Sequence, residues 1–262
     1  MGLARALSKL GHCSRSQGSI LIRDGKVRLN GRVRRDPEAP VRLGSDKIEV
    51  AGQSIEAQDF VYLAMNKPRG LVTTASDEKG RETVYTLLSE NLGENPNEIK
   101  DLPWVAPVGR LDRASEGLLL LTNDSEWGAR IAAPDSYLAK IYHVQTSHCD
   151  PPALAQSLAT GVESRGELLR AEKITVLRQG RRNAWLEITL HEGKNRHIRR
   201  MMEACGAEVL RLVRIAIGPL TLGTLAKGKV RPLSGREKSG LDAAMANRVT
   251  PRSRNAFTTL PL

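Results

Sequence analysis

The sequence predicts an α+β fold: a small basic α/β segment at the N-terminus, then a larger domain built on a mainly antiparallel mixed sheet. Three observations carry this. Helical and alternating apolar periods interleave along the chain without a regular strand–helix–strand repeat. Residues 1–50 hold eleven Lys/Arg against five Asp/Glu, a compact basic block set off by a polar stretch. Hydrophobic residues make up 40% and charged residues 26% of the 262 positions, enough for a real core and too little charge bias for global disorder.

Each element has a local reason. Ala4, Leu7 and Leu10 recur at helical spacing and stop at Gly11. Ser14 reads as the N-cap of a second helix through Ile20, Leu21 and Ile22, ended by Asp24-Gly25. Strand residues 27–29 and Val33 flank Asn30-Gly31, a strong hairpin signal, and 47–50 closes the segment. The polar residues 53–59 read as a linker after a module at 1–52. The larger domain, 60–235, opens with a strand at 60–66 broken by Lys67-Pro68-Arg69-Gly70. A helix at 83–88, a loop at 91–103, an apolar strand at 117–122 and a helix at 124–132 follow. Next come a strand at 140–146, a helix at 151–158, strands at 184–190 and 209–217, and between those two a helix at 194–205. Residues 236–262 read as a basic tail, partly disordered, because the apolar pattern fades there.

The formal net charge is +11 and the pI about 9.9, which points to a polyanion, either nucleic acid or an acidic membrane surface. A basic surface kept for solubility is the bland alternative. Aromatics are only 3%, so phosphate contacts by Lys and Arg carry most of any affinity for RNA. Cys13, Cys149 and Cys205 are odd in number and scattered, without metal-ligand spacing, which suits a reducing cytoplasm. The opening residues lack the apolar stretch of a signal peptide, and no run reaches membrane-spanning length. There is no Gly-rich nucleotide loop and no metal cluster in the sequence pattern, so no cofactor and no metal are expected.

The most informative stretch runs from Val108 to Asp124, with Gly109-Arg110-Leu111-Asp112-Arg113 leading into Ser115-Glu116-Gly117 and then Leu118 to Leu121. Four consecutive leucines leave no polar face, so this strand is covered on both sides. The loop before it delivers one acid, Asp112, at the edge of a core. Spacing alone favours an Asp that pairs with Arg110 or Arg113. The contiguous motif Gly-Arg-Leu-Asp followed by Ser-Glu-Gly-Leu-Leu-Leu-Leu-Thr-Asn-Asp resembles the signature of the ribosomal small- and large-subunit pseudouridine synthase family. That resemblance implies a pseudouridine synthase catalytic domain with Asp112 as nucleophile and Arg110 beside the flipped nucleotide.

Two further segments are similar to that family. Lys140-Ile141-Tyr142-His143-Val144 resembles its Lys-x-Tyr-x-Val strand, implying that Tyr142 lies against the target base. An alternating strand puts Lys140, Tyr142 and Val144 on one face. The plain alternative is a half-buried strand tyrosine. The run from Glu192 to Met201 resembles the family's third motif, whose basic residue pairs with the catalytic Asp. Alignment on the Gly places that role on Lys194 first and Arg196 second. Arg196 and Arg199 are candidate substrate contacts, with a solvated basic helix face as the alternative for Arg199 and Arg200. The family often has Gln where this chain has His197, a departure expected to alter hydrogen bonding. The N-terminal segment resembles the small RNA-binding module of a ribosomal small-subunit protein through Ser14-Arg15, Asp24-Gly25-Lys26-Val27 and Val33, which makes Arg15 and Lys26 candidate RNA contacts.

The resemblance implies an isomerase that converts a specific uridine to pseudouridine after flipping it from its stack. The expected partner is structured ribosomal RNA or an assembling ribosomal subunit, large-subunit RNA favoured over small-subunit or transfer RNA. The protein is expected to act as a cytoplasmic monomer. Direct attack on the sugar carbon and a route through an eliminated sugar both remain open. The rivals are a non-catalytic RNA-binding or ribosome-assembly protein, a glycosidase releasing bases, and a membrane-surface protein. For the last, no helix pairs a basic face with Trp or Phe.

Overall fold

A computed structural model describes residues 1–75, 77–92, 102–147 and 150–246. Helices α1 (Leu3–Lys9) and α2 (Arg15–Arg23) open the chain. Ser14 Oγ accepts from the Gln17 backbone N–H, and the Gln17 side chain accepts from that of Ser14, a reciprocal cap. Strands β1 (Val27–Leu29), β2 (Arg32–Arg34), β3 (Ile48–Val50) and β4 (Gln53–Ser54) form a sheet in the order β2-β1-β3-β4. Asn30 and Gly31 both take positive φ (52° and 75°), the backbone their hairpin turn demands. Leu3, Leu7, Ile22, Val27 and Ile48 form the core of this module. The module outruns its expected end at 52. Strand β4 lies within the expected linker, and Ile55 donates its N–H to Ile48 O and packs on the same core.

The larger domain contains β5 (Tyr62–Lys67), α3 (Val84–Leu92), β6 (Ala106–Val108), β7 (Glu116–Thr122), α4 (Ser125–Ala132) and β8 (Lys140–Thr146). It continues through α5 (Pro151–Thr160), β9 (Val162–Ser164), β10 (Glu167–Leu169), β11 (Lys173–Gln179) and β12 (Ala184–Leu190). It ends with α6 (His197–Ala204), β13 (Val209–Ile217), β14 (Leu220–Thr221), β15 (Val230–Pro232) and α7 (Gly235–Ala246). Nine strands make one sheet in the order β11-β12-β8-β13-β7-β5-β15, with β14 on β13 and β6 on β7. Among the described residues its pairings are antiparallel save one, β13 with β7, which makes the sheet mixed and mainly antiparallel as the sequence predicts. That parallel contact requires Gly117. A Cβ there would collide with the Arg214 backbone, and φ is +100°.

The halves of the sheet are dressed differently. All seven residues of β7 are buried. On one face Leu118 and Leu120 pack with Trp127 and Ile131 of α4 and Leu241 and Met245 of α7. On the other, Leu119 and Leu121 pack with Val84, Leu88 and Leu111. In the β8–β12 half, Val144, Leu186 and Ile188 are buried under α5 and α6, while alternate residues are not.

Three expectations are corrected. The hairpin β9–β10 and strand β11 lie where no element was expected, because their apolar alternation is weak and broken by charge. The tail is ordered as α7 over 235–246. It has few apolar residues, but Leu241 and Met245, four apart, reach the core, and Trp127 Nε1 donates to Asp242 at 2.8 Å. Residues 247–262 and Cys149 lie outside the described residues. Finally, the helix expected from 194 begins at 197, because Arg196 sits in the left-handed region (φ 47°) and breaks the run.

Candidate active site

Asp112 lies in the loop between β6 and β7, and three separate ties hold that loop. The Thr73 hydroxyl donates to Leu111 O at 2.8 Å and faces Leu111 N–H at 3.4 Å. Arg113 Nε donates to Gly70 O at 2.9 Å, and Gly70 N–H donates back to Arg113 O at 2.8 Å. Lys67, fully buried at the end of β5, donates to the carbonyls of Pro68 (3.0 Å), Asp112 (3.2 Å) and Ser115 (2.9 Å). Burial pushes the Lys67 ammonium down to about 8, against the opposing charges of Asp112 and Glu116. The backbone under Asp112 is therefore fixed by an ammonium and a hydroxyl that the carboxylate itself does not use.

The carboxylate of Asp112 is 36% exposed. Its cations come from the α6 end, not from its neighbours in sequence: Arg196 Nη1 and Arg199 Nε each stand 3.9 Å from Oδ2. Both distances are ion pairs without hydrogen-bond geometry. Arg199 is 13% exposed and anchored by a bond from Nη2 to Ala114 O at 3.1 Å, while its Nε has no hydrogen-bond partner among the described residues. Burial lowers the Arg199 pKa and the charge of Arg196 adds to that, with Asp112 opposing. Arg196 reaches the carboxylate from a left-handed backbone, a conformation that costs about 1–2 kcal/mol for a residue with a side chain.

Two expectations change here. Lys194, the first choice to face Asp112, instead sits 3.1 Å from Glu192, because it precedes the sharp turn at Arg196. The structure brings Arg196 and Arg199 to Asp112 in its place. Arg199 and Arg200 are not a solvated face. Arg200 is buried, donates to Ser164 O at 2.6 Å and pairs with Glu167 at 2.7 Å, stapling α6 to the β9–β10 hairpin. His197 is also buried, with both ring nitrogens unpartnered among the described residues. Burial lowers its pKa, which keeps the ring neutral.

Tyr142 is half-buried on β8 and packs against both the α5–α6 cluster and the cluster that contains Leu111, next to Asp112. Its sheet partner across β13 is Arg214. Arg214 is buried, donates from Nε to Leu118 O at 2.7 Å, and leaves Nη2 without a partner among the described residues. On the same face Lys140 is pushed down to about 8 by burial and by Arg214. Sequence reasoning missed Lys67 and Arg214. The signal for each was a cation following or within a mostly apolar strand.

Arg110 is exposed at the start of the Asp112 loop. Arg15 and Lys26 are exposed on the N-terminal module, Lys26 3.5 Å from Asp24, and the structure does not bring them to Asp112. The module is tied to the larger domain by Trp104 N–H to Gly11 O at 2.8 Å and by Lys9 to Glu126 at 2.7 Å. Among the described residues no group of three or more His, Cys, Asp or Glu side chains could hold a metal, and no helix is long and apolar enough to cross a membrane.

Known proteins match this architecture. The profile of the RNA pseudouridylate synthase family matches residues 61–204, and that of the S4 domain matches residues 1–48. The ribosomal large subunit pseudouridine synthase B of Bacillus subtilis is 34% identical over 258 residues, 97% of this chain and 99% of that one. An RNA pseudouridine synthase of Aquifex aeolicus is 36% identical over 250 residues, 95% of this chain and 96% of that one. Among solved structures, a pseudouridylate synthase superposes with a TM-score of 0.60 at 26% identity, over 92% of this chain and 99% of that one.

Proposed function

The chain belongs to the RNA pseudouridylate synthase family, and from that premise we propose that it isomerises one uridine of ribosomal RNA to pseudouridine, with Asp112 as the nucleophile. One observation carries the reading: Asp112 is a half-open carboxylate on an immobilised loop, with two guanidiniums held at 3.9 Å. Such a group has cationic neighbours yet keeps its lone pairs available for a reacting carbon.

The reaction breaks the bond between the ribose carbon and the uracil nitrogen, turns the base and joins it through a ring carbon. Composition does not change: the joined ring carbon loses a proton and the freed nitrogen takes one up. An electron-poor sugar carbon calls for a nearby carboxylate, as in glycoside hydrolysis. Asp112 either attacks that carbon or assists elimination; on both routes Arg196 and Arg199, each 3.9 Å away, flank the reacting carboxylate. Tyr142 supports the base. Arg214 offers a buried N–H donor next to Tyr142, suited to a uracil carbonyl or a phosphate.

We assign Arg110 to the flipped nucleotide's surroundings and Arg15 and Lys26 to backbone contacts made by the N-terminal module. Large-subunit RNA is favoured by the end-to-end similarity to the Bacillus subtilis enzyme. The reading is of a monomer, and the free thiols Cys13 and Cys205 suit the cytoplasm. The test is chemical mapping of pseudouridine in ribosomal RNA transcripts incubated with the protein. Wild type introduces a pseudouridine and Asp112→Asn does not. Release of free uracil, or binding without product by wild type, overturns the proposal.

A further inference from the structure

Arg178 and Arg211 both stack over Trp185, with guanidinium carbons 5.5 and 5.6 Å from the ring centroid. Neither arginine points there by simple strand alternation. In β11, Ile174 and Val176 face the α5–α6 cluster, so Arg178 would follow them inward. A bulge between Val176 and Arg178 shifts the register: Val176 pairs with Leu186, but Arg178 pairs with Trp185. In β13, Val209 faces the same cluster, and a second bulge between Val209 and Arg211 brings Arg211 opposite Gln145, on the Trp185 face. Two independent bulges thus re-aim two arginines out of a core face and onto one indole.

This face is the reverse of the one that carries the candidate site. Tyr142 pairs with Ile188 and packs in the cluster beneath α6, whereas Trp185 and Gln145 occupy the alternate positions. The chain then runs to the exposed tip of the β11–β12 hairpin, which carries Arg181 and Arg182 just after Arg178 in sequence. Among the described residues no carboxylate pairs with Arg178, Arg181 or Arg182. Arg211 and Lys227 share one carboxylate, Glu116, leaving an excess of one positive charge.

The geometry points to a second RNA contact on the reverse face: a Trp185-backed arginine cluster that binds the phosphate backbone of a duplex segment flanking the target. Arg178, which no carboxylate engages among the described residues, keeps its N–H edge over the ring for a phosphate taken in two parallel bonds, while Arg211, held by Glu116 through two nitrogens, buttresses the indole from its other contact. A strand hairpin carrying unpaired arginines suits a repeating polyanion better than a single small anion. The inference rests on the reading of the chain as an RNA-modifying enzyme, but its readout is binding and does not depend on product.

The test measures Kd for a fluorescent RNA hairpin over a range of salt concentrations, using the full chain. The variant R178A/R181A/R182A is compared with a charge-matched control, R130A/R170A/R236A. Three lost phosphate contacts lower the slope of log K against log salt by about two to three and weaken binding roughly tenfold or more at low salt. The control is expected to change the slope by less than one such unit. Equal changes in the two variants, or no change in the first, overturn the inference. Anionic vesicles that retain wild type but not the first variant, with an unchanged RNA slope, overturn it in favour of a membrane. Circular dichroism and melting separate these outcomes from misfolding, and R178K/R181K/R182K restores most of the slope if charge is what acts.

Discussion

Asp112 and Glu116 are carboxylates four residues apart, and the protein treats them in opposite ways. Glu116 is 3% exposed and closed off: Arg211 grips it at 3.1 Å through two nitrogens and Lys227 at 2.7 Å. Burial pushes its pKa up, and the bonds from Arg211 and Lys227 outweigh that, so the net shift is downward. Asp112 is 36% exposed, and its two arginines stop at 3.9 Å. The first arrangement gives both oxygens cationic partners and pins β7 to β13. The second supplies charge without consuming the oxygens. A structural carboxylate is finished by its partners; the one proposed as nucleophile is left unfinished.

The largest expected effect breaks that contrast directly. Asp112→Asn lowers pseudouridine formation by about a thousandfold or more, with Tm nearly unchanged, since among the described residues no hydrogen bond to its side chain holds the loop. Glu116→Gln does the reverse. It leaves Arg211 and Lys227 around a neutral amide and costs about 3 kcal/mol in denaturant unfolding, while the rate per folded molecule stays close to wild type.

Lys67→Met follows, costing roughly 2–3 kcal/mol because three carbonyls beneath Asp112 lose their donor. It also has a pH signature. Lys67 titrates near 8 in the folded chain against an ordinary 10.5, so between those values the folded state binds fewer protons than the unfolded state. Its contribution to unfolding free energy therefore rises with pH across that window, and chemical denaturation of the Met variant lacks the rise. The smallest effects sharpen the assignment of the counter-charge. Arg199→Ala lowers kcat about tenfold, whereas Lys194→Ala stays within about twofold. Equal losses in the two would return Lys194 to the site.

Much of this was legible in order along the chain because it is local. The capping box at Ser14, the Asn30-Gly31 turn and the all-apolar β7 are each decided by a few neighbouring residues. The contiguous motif likewise marked Asp112 without any knowledge of its surroundings. What failed was either weakly patterned or interrupted. Strand β11 hides its alternation behind a bulge, α7 reaches the core through few side chains, and Arg196 breaks a helix whose composition reads as continuous.

The sequence alone determined that one acid is delivered on a rigid support, that a tyrosine shares a strand face with a lysine, and that the surface is cationic. Only the tertiary structure decided which cation meets the acid. Asp112 and its arginines lie more than eighty residues apart, and a left-handed turn at Arg196 swings Lys194 away while bringing Arg196 and Arg199 in. Likewise, only strand register shows that Arg178 and Arg211 leave the core face for Trp185, because a one-residue bulge reverses every side chain beyond it.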